Sequence, residues 1–478
     1  MAEIKPEKSL NFNEFPPIST QEWEEVISED LKGKNYKKEL LWETPEGVAV
    51  LPFYRREHLQ DLEHITEPVH TKSTWNIVEK IEFQNPKTAN SLALHALENG
   101  ASGLHFSSSS SSISTKEDLE LLLKDVQVEL IYVTFGSGLT SPEISKWLKE
   151  ICFDRNLDFE SLNITFAFDL FAQAVHSGKL AKKEELVQVL KNLKSPFKFM
   201  GVNADFYGDC GGEIVQQLAF ALAEGNEYLA LTDELEMSVS EVAQNIHFQF
   251  STASSFFLEI AKYRAFRLVW AQVLNTYEEG LAKRTDTFVH ARTARWNKST
   301  ADAHSNIIRA TTEAMSAVLG GCNAITVERF DSDFAEYSGF SSRIARNIQL
   351  ILQGEAYLDK VSDAGAGSYY IEVLTDKIAR ESWELFQEIE KHGGFYEAVK
   401  SGFIQQKLII SQKNRIAAYE EKQSVLVGVN KYESKENQGE NSVLKKTTPF
   451  FRVNDFHNVD SVPMLNIEEA LSNNKKIS

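Results

Sequence analysis

A closed eight-stranded parallel barrel of the (β/α)8, or TIM, kind is the α/β fold that this sequence predicts, with an N-terminal helical extension and a polar C-terminal tail. Three observations lead there. Between about residue 75 and residue 395, short runs rich in β-branched and aromatic residues alternate with longer stretches of helical apolar spacing, as repeated crossover units require. One such unit, strand then helix then strand, is legible residue by residue over 287–327. The chain of 478 residues also has room for a barrel, which uses roughly 250 residues as one unit, and for extensions at its ends.

Residues 1–60 read as an extension that contacts another subunit or the chain's own barrel. Ser19 and Glu22 stand at capping-box spacing and Gly33 marks a stop, so one amphipathic helix lies between them. Trp23, Val26, Ile27 and Leu31 on that helix need a surface to cover. Residues 61–432 form the barrel domain, with strands expected at 103–107, 129–134, 163–167, 198–203, 246–250, 287–290, 324–327 and 368–372. In the 287–327 unit, Ile307, Ile308, Thr311, Ala314, Met315, Val318 and Leu319 recur at helical spacing. Asp302 or Ser305 can cap that helix, and Gly320 and Gly321 end it, since glycine enters the left-handed conformation at little cost. Beyond Tyr432 the composition turns polar, ESKENQGENSVLKKTTP, and residues 433–478 are read as a linker or tail.

Composition excludes several function classes. Lys plus Arg number 50 against 69 Asp plus Glu, a net charge of −19, which supplies no cationic footprint for a nucleic acid. Cys152, Cys210 and Cys322 lie far apart without a C-x-x-C pair, so neither a disulfide framework nor a thiolate metal site is indicated. The start MAEIKPEKSLNF lacks an apolar core, and no run of about 18 apolar residues occurs, so a cytoplasmic, unprocessed protein with no membrane partner is expected.

Several short motifs read as structure. His58, His64 and His70 are six apart, which matches neither metal-ligand spacing nor one helix face, so no metal site is assigned. The serine run 107–112 is read as a loop, Asp363 to Gly367 as a turn, and Asp209 to Gly212 as a loop leading into a helix. His290 and His304 are read as structural histidines.

The words of the sequence go further. HARTARWNKSTADAHSNIIRATTEAMSAVLGGCNAITVERFD, SSRIARNIQLILQ, FFLEIAKYRAFRLVWAQV, GSYYIEVLTDKIARESWELFQEIEKHGG, LVGVNKY and the N-terminal SLNFNEFPPISTQEWEEVISEDLKGKNYKKELLWETPEGVAVLPFY together resemble the methylmalonyl-CoA mutase family. Members isomerise acyl-CoA esters with adenosylcobalamin. The resemblance covers nearly the whole chain and is poorest between Ser107 and Ser195. It implies the same barrel, in which reacting groups sit at the C-terminal strand ends. Cobalamin-holding members continue past a linker into a flavodoxin-like domain marked D-x-H-x-x-G. Here the nearest string is Asp302-Ala303-His304, followed by Ser305, Asn306 and Ile307 with no glycine, so no cobalamin-binding domain is expected on this chain.

At the positions that carry chemistry the chain departs from the family. Trp75 is followed five residues later by Lys80, where catalytic members have a tyrosine. The arginines that meet coenzyme A are replaced by Ser73 and Val78, removing two planar charged partners of a polyanionic substrate. Phe206 stands where a histidine polarises the thioester carbonyl, and a phenyl ring offers no proton to donate. His290 matches a family histidine, but the following glutamine is Arg292 and a glycine is Arg295, while two further histidines correspond to Gly321 and Thr326. The polar lining is thus expected to be dismantled, with no catalytic residue and no cofactor on this chain. The resemblance then implies a smaller, non-catalytic (beta) chain beside a large (alpha) catalytic subunit that binds adenosylcobalamin and interconverts (R)-methylmalonyl-CoA and succinyl-CoA, as in propionate metabolism, with the N-terminal arm wrapping that partner. Two alternatives stand beside it: the substrate barrel of a split acyl-CoA mutase with a separate cobalamin-binding polypeptide, and a solitary binding or chaperone-like protein.

Overall fold

Alternating short apolar runs and helices fold into eight parallel strands wrapped by crossover helices. The computed structural model describes residues 18–44, 47–60, 62, 73–108, 112–136, 138–194, 196–335, 337–433 and 455–475. The chain divides into two units, the first ending at Tyr54 and the second beginning at Arg55.

In the first unit, Ser19 Oγ accepts from Glu22 N at 3.1 Å while the Glu22 carboxylate accepts from Ser19 N at 2.7 Å, closing the expected capping box of the helix Thr20–Asp30. The chain turns at Gly33, whose φ of +85° is the left-handed conformation that glycine tolerates. The Trp23 ring meets Phe53 of the same unit, 5.7 Å between centroids.

The strands of the second unit are β1 (Asn76–Phe83), β2 (Gly103–Ser108), β3 (Tyr132–Phe135), β4 (Asn163–Phe166), β5 (Met200–Asn203), β6 (Ile246–Thr252), β7 (Phe288–Thr293) and β8 (Ala324–Thr326). Their order is β4-β3-β2-β1-β8-β7-β6-β5, so the first strand pairs with the last, Ala324 opposite Asn76. The remaining seam is bridged at Thr165 and Lys198, where Phe166 N donates to Lys198 O at 2.8 Å and Lys198 N to Ile164 O at 3.1 Å. The sheet is thereby drawn into a barrel.

Its surrounding helices are α1 (Pro86–Glu98), α2 (Lys116–Leu122), α3 (Pro142–Asp154), α4 (Lys183–Leu193), α5 (Ile214–Ala230), α6 (Phe256–Tyr277), α7 (Ser305–Leu319), α8 (Gly339–Gly354) and α9 (Tyr369–Lys391). No described helix is long and apolar enough to cross a membrane.

Four local expectations are corrected. The segment 76–83 is the first strand, although its charged Glu79, Lys80 and Glu82 hide the apolar alternation of Ile77, Ile81 and Phe83. Residues 368–372, with the strand-like composition SYYIE, instead open α9, because Ile371, Leu374, Ile378, Phe386 and Ile389 continue a buried helical stripe. At α7, His304 occupies the N-cap without a side-chain bond, since Asp302 accepts from Ser305 Oγ at 2.5 Å instead of capping. Gly321 does take the left-handed conformation at the helix end, φ +87°. Gly320 does not, and its role is proximity: a Cβ there would lie 2.9 Å from the Tyr263 side chain.

The stretch read as a polar tail also folds. Residues 434–454 lie outside the described residues, but Phe456–Asn458 pairs antiparallel with Lys179–Ala181 and a helix follows at Ile467–Lys475. Leu465, Ile467 and Leu471 pack against Trp296, Tyr419 and Leu426. Glu468 accepts from Thr300 N at 2.6 Å, Ala301 N at 3.0 Å and Ser299 Oγ at 3.0 Å, fastening this strap to the loop after β7.

Away from the strand ends, Arg264 on α6 meets Asp363 at 3.0 Å and Glu372 at 3.0 Å, all three buried. It joins α6 to α9 and to the Asp363–Gly367 stretch, which is a turn as expected. Removing one partner leaves an uncompensated charge inside the protein. Arg264→Met is therefore expected to cost about 3–5 kcal/mol by chemical denaturation, and Arg264→Met combined with Asp363→Asn and Glu372→Gln substantially less.

Candidate functional site

The C-terminal strand ends surround a cavity of about 980 Å³, the position at which a barrel of this kind exposes its chemistry. Its lining is charged. Lys80 comes from β1, His105 and Ser107 from β2, Asp169 from the loop after β4, Asn203, Asp205 and Phe206 from the end of β5, Gln249 from β6, Arg292 and Arg295 from β7 and its loop, and Glu328 and Asp333 from the loop after β8.

These groups pair with one another. β5 runs directly into the short buried helix Ala204–Asp209, and the four-residue spacing of Asp205 and Asp209 sets both carboxylates on one helix face. Arg292 reaches across to them: its Nη2 donates to Asp205 Oδ2 at 2.8 Å and to Asp209, its Nε to Asp205 at 3.0 Å. Gln249 adds a third bond to Asp205 at 2.8 Å. Lys80 lies 3.2 Å from Glu328 and 2.9 Å from Glu82. Arg295 Nε donates to Asp333 at 2.8 Å, and Arg295 N to Asp209 Oδ1 at 3.1 Å.

Electrostatics follow from the pairing. Burial alone would raise the Glu328 carboxyl, but Lys80, Arg292 and Arg295 press it down to about 2. Arg292 and Lys80 are held in their charged forms by facing carboxylates despite burial. Burial, then Lys80, pushes His105 down to about 3, and burial with His105 pushes His290 well below the usual histidine range, so both rings are neutral.

Lys80, Phe206 and Arg292 come together around this cavity. The Phe206 ring stacks edge-on against His176 at 5.4 Å and offers no polar group. His290 is built into the barrel, its Nε2 2.9 Å from Thr326 Oγ1 and its Nδ1 3.3 Å from Tyr132 Oη. Val78 packs in the interior with Tyr132, Phe288 and Ala324. Ser73 precedes β1 and is not among the residues around the cavity. His304 is exposed beside Phe330, apart from His290's bonded neighbours. Gly321 lies in the turn leading into β8, on the face opposite the cavity, and not at a C-terminal strand end.

The expected loss of polar lining is thus corrected: the strand ends are densely polar, but their charges are spent on each other. Asp205, Asp209, Glu328 and Asp333 were not singled out from the sequence. Position is the signal that finds them, since Asp205 follows β5 and Glu328 follows β8 by two residues. Of the serine run, Ser107 and Ser108 are buried on β2, Ser112 Oγ donates to Ser108 Oγ at 2.7 Å, and residues 109–111 lie outside the described residues. Among the spaced histidines, His64 and His70 also lie outside them, while His58 Nδ1 accepts from Arg55 N at 2.9 Å. No group of three His, Cys, Asp or Glu side chains that could hold a metal converges among the described residues.

At the cavity wall, Asp169 accepts from Ala172 N and Asn203 N, each at 2.7 Å, and lies in hydrogen-bond contact with the Glu224 behind it, which accepts from Tyr207 Oη at 2.8 Å. Burial raises Asp169 to about 6 and raises Glu224 well above the carboxylate range, with Asp169 adding to it. Carboxyls raised in the folded state favour folding at low pH: that contribution is fully present below the ordinary carboxylate value near 3.8 and is lost as pH rises through the folded value, about 6 for Asp169 and higher for Glu224. Glu224→Gln keeps the acceptor for Tyr207 and removes the titration. It is expected to match or slightly lower the melting temperature of the parent at pH 5 and to exceed it by a few degrees at pH 8, on the order of 1 kcal/mol, as read by thermal denaturation across pH.

Comparison with known proteins agrees with the fold. The family described as methylmalonyl-CoA mutase matches residues 108–462. A methylmalonyl-CoA mutase small subunit from Porphyromonas gingivalis is 35% identical over 89% of this chain and 71% of its own length. A methylmalonyl-CoA mutase from Rhizobium meliloti is 28% identical over 87% of this chain and 64% of its own, and the mitochondrial enzyme of Homo sapiens 26% identical over 86% and 60%. The chain therefore spans less than two thirds of the length of the latter two.

Proposed function

The chain belongs to the methylmalonyl-CoA mutase family, and from that premise we propose that it acts as the small, non-catalytic subunit of a heterodimeric mutase. Its large partner, in this reading, binds adenosylcobalamin and interconverts (R)-methylmalonyl-CoA and succinyl-CoA, while this barrel supports it. One observation carries the proposal: Lys80 and Phe206, which the resemblance sets in place of the two family groups that act on substrate, line the cavity at the strand ends, and Lys80 is committed to Glu328 and Glu82. A phenyl ring cannot polarise a carbonyl, and a paired ammonium is not available to a substrate.

The described residues do not fit a corrin. His304, in the string nearest to a cobalamin motif, is exposed at the start of α7 with Phe330 as its ring neighbour, and a rim of paired charges together with Met464 of the C-terminal strap lines the barrel's open end. The chemistry of the cofactor is accordingly assigned to the partner.

The test is turnover of the purified chain alone and mixed with the candidate large subunit and adenosylcobalamin. This chain alone is expected to be inactive. In the complex, Lys80→Ala and Phe206→Ala are expected to leave turnover within about twofold, whereas a drop of about 100-fold, roughly 2.7 kcal/mol of transition-state stabilisation, would return this site to the reaction. Turnover by this chain with a lone cobalamin-binding polypeptide would replace the proposal by a split enzyme.

A further inference from the structure

Three cations at the barrel's open end, Lys80, Arg292 and Arg295, stand at positions where the family resemblance has uncharged residues. Simple decay of a site would leave such charges facing solvent or a void. Instead each meets a carboxylate delivered from another strand end. Asp205 and Asp209 have further work in the fold, since they are held by Gln249 and by the Arg295 backbone. Glu328 is different. Its side chain is 5% exposed, lies 3.2 Å from Lys80 and 3.8 Å from Arg292 Nη1, and borders open cavity. At 3.8 Å it does not hydrogen-bond Arg292, and Nη1 of that guanidinium, on a residue only 7% exposed, has no hydrogen-bond partner. His105 Nδ1, equally buried and on the same lining, has none either. Two unmet polar atoms beside an ammonium and an open volume describe a receptor that its present occupant does not fill.

We propose that the barrel mouth is an anion-binding site occupied by the chain's own Glu328, which stands in for a small oxyanion, a carboxylate or a phosphate. Such an anion competes with the Glu328 side chain for Lys80 and Arg292, and also reaches the unsatisfied Nη1 and the neutral His105 ring. The wild-type site is therefore closed to anions by an internal competitor at a very high effective concentration. This inference concerns the chain's own residues and stands whether or not the chain works beside a larger subunit.

Glu328→Gln removes the buried competing charge and keeps the shape, while Glu82, whose side chain is half exposed, stays 2.9 Å from Lys80. With the full chain, calorimetric titration with sodium phosphate and, separately, sodium acetate at ionic strength matched with chloride is expected to show at least tenfold tighter binding of one of them to Glu328→Gln than to wild type. Adding Lys80→Met to Glu328→Gln is expected to abolish the gain. Equal binding by wild type and Glu328→Gln for both anions, or a gain that persists without Lys80, overturns the proposal. Should Glu328→Gln fail to fold in dilute buffer, refolding across a series of the same salts decides: recovery with phosphate or acetate beyond that given by chloride supports the site, and recovery with none of them, or equally with chloride, shows that Glu328 is structural only.

Discussion

The upper half of the barrel depends on the Arg292 guanidinium. It leaves β7 inside the protein, only 7% exposed, and a charge so placed must be met by carboxylates or the strand end cannot stay closed. Asp205 and Asp209 meet it from the helix that follows β5. A planar fork with fixed donors suits this task, because two carboxylates one helical turn apart can be satisfied by a single side chain. Through that clamp β7 is tied to the end of β5, and through Gln249 to β6, which lies between them. The clamp extends further. The backbone oxygen of Asp209 accepts from Leu465 N at 2.7 Å, so the residue that neutralises Arg292 also seats the C-terminal strap.

Below this charged rim the barrel is indifferent to what the rim does. Val78, Tyr132, Phe288 and Ala324 close an apolar layer, and His290 spans it with hydrogen bonds to Tyr132 and Thr326. Neither set needs a ligand to be satisfied. This is the physical reason that a barrel keeps its fold while the groups at its strand ends are exchanged: this apolar layer and the His290 hydrogen bonds do not involve the rim charges, and the rim answers to a separate requirement. A neutral His290 belongs to that arrangement, because a buried imidazolium between two hydroxyls would be an uncompensated charge.

How much of this is legible in the sequence depends on the range of the interaction that decides each element. Local signals are legible: the Ser19 capping box, the turn at Asp363, the left-handed Gly321 and most of the strands, each set by residues within one helical turn or one strand. The errors arise where distant partners decide. β1 carries Glu79, Lys80 and Glu82, and its charges are accommodated only because Arg346, Glu328 and other groups far along the chain come to meet them. The SYYIE run has strand composition, yet Glu372 is drawn into a helix that presents it to Arg264, 108 residues away. Likewise Leu465, Ile467 and Leu471 are too few to outweigh the polar residues before them, and they fold because Trp296 and Tyr419 are there to pack against. The same limit applied to the site. Lys80, Phe206 and Arg292 are conspicuous as departures from a family pattern, whereas their partners Asp205, Asp209 and Glu328 acquire meaning only when the strand ends are brought into a ring.

Why the rim is ionic and not filled with apolar side chains is a question of specificity more than of stability. Replacing buried ion pairs by well-packed hydrophobic residues is often neutral or favourable, so three cations and four carboxylates, Lys80, Arg292 and Arg295 with Asp205, Asp209, Glu328 and Asp333, are not an efficient way to gain free energy. What such a set does supply is a geometry that tolerates few alternatives, since each misplaced member leaves a desolvated charge behind. It also cancels the local field. An arginine-rich strand-end cavity would ordinarily attract a polyphosphate, but with one carboxylate more than cations among these seven groups the rim offers no net positive charge to steer one in. The pairing therefore explains two properties at once: the open end of the barrel is held rigid without a ligand, and it presents no net attraction for the polyanionic substrates on which related barrels act.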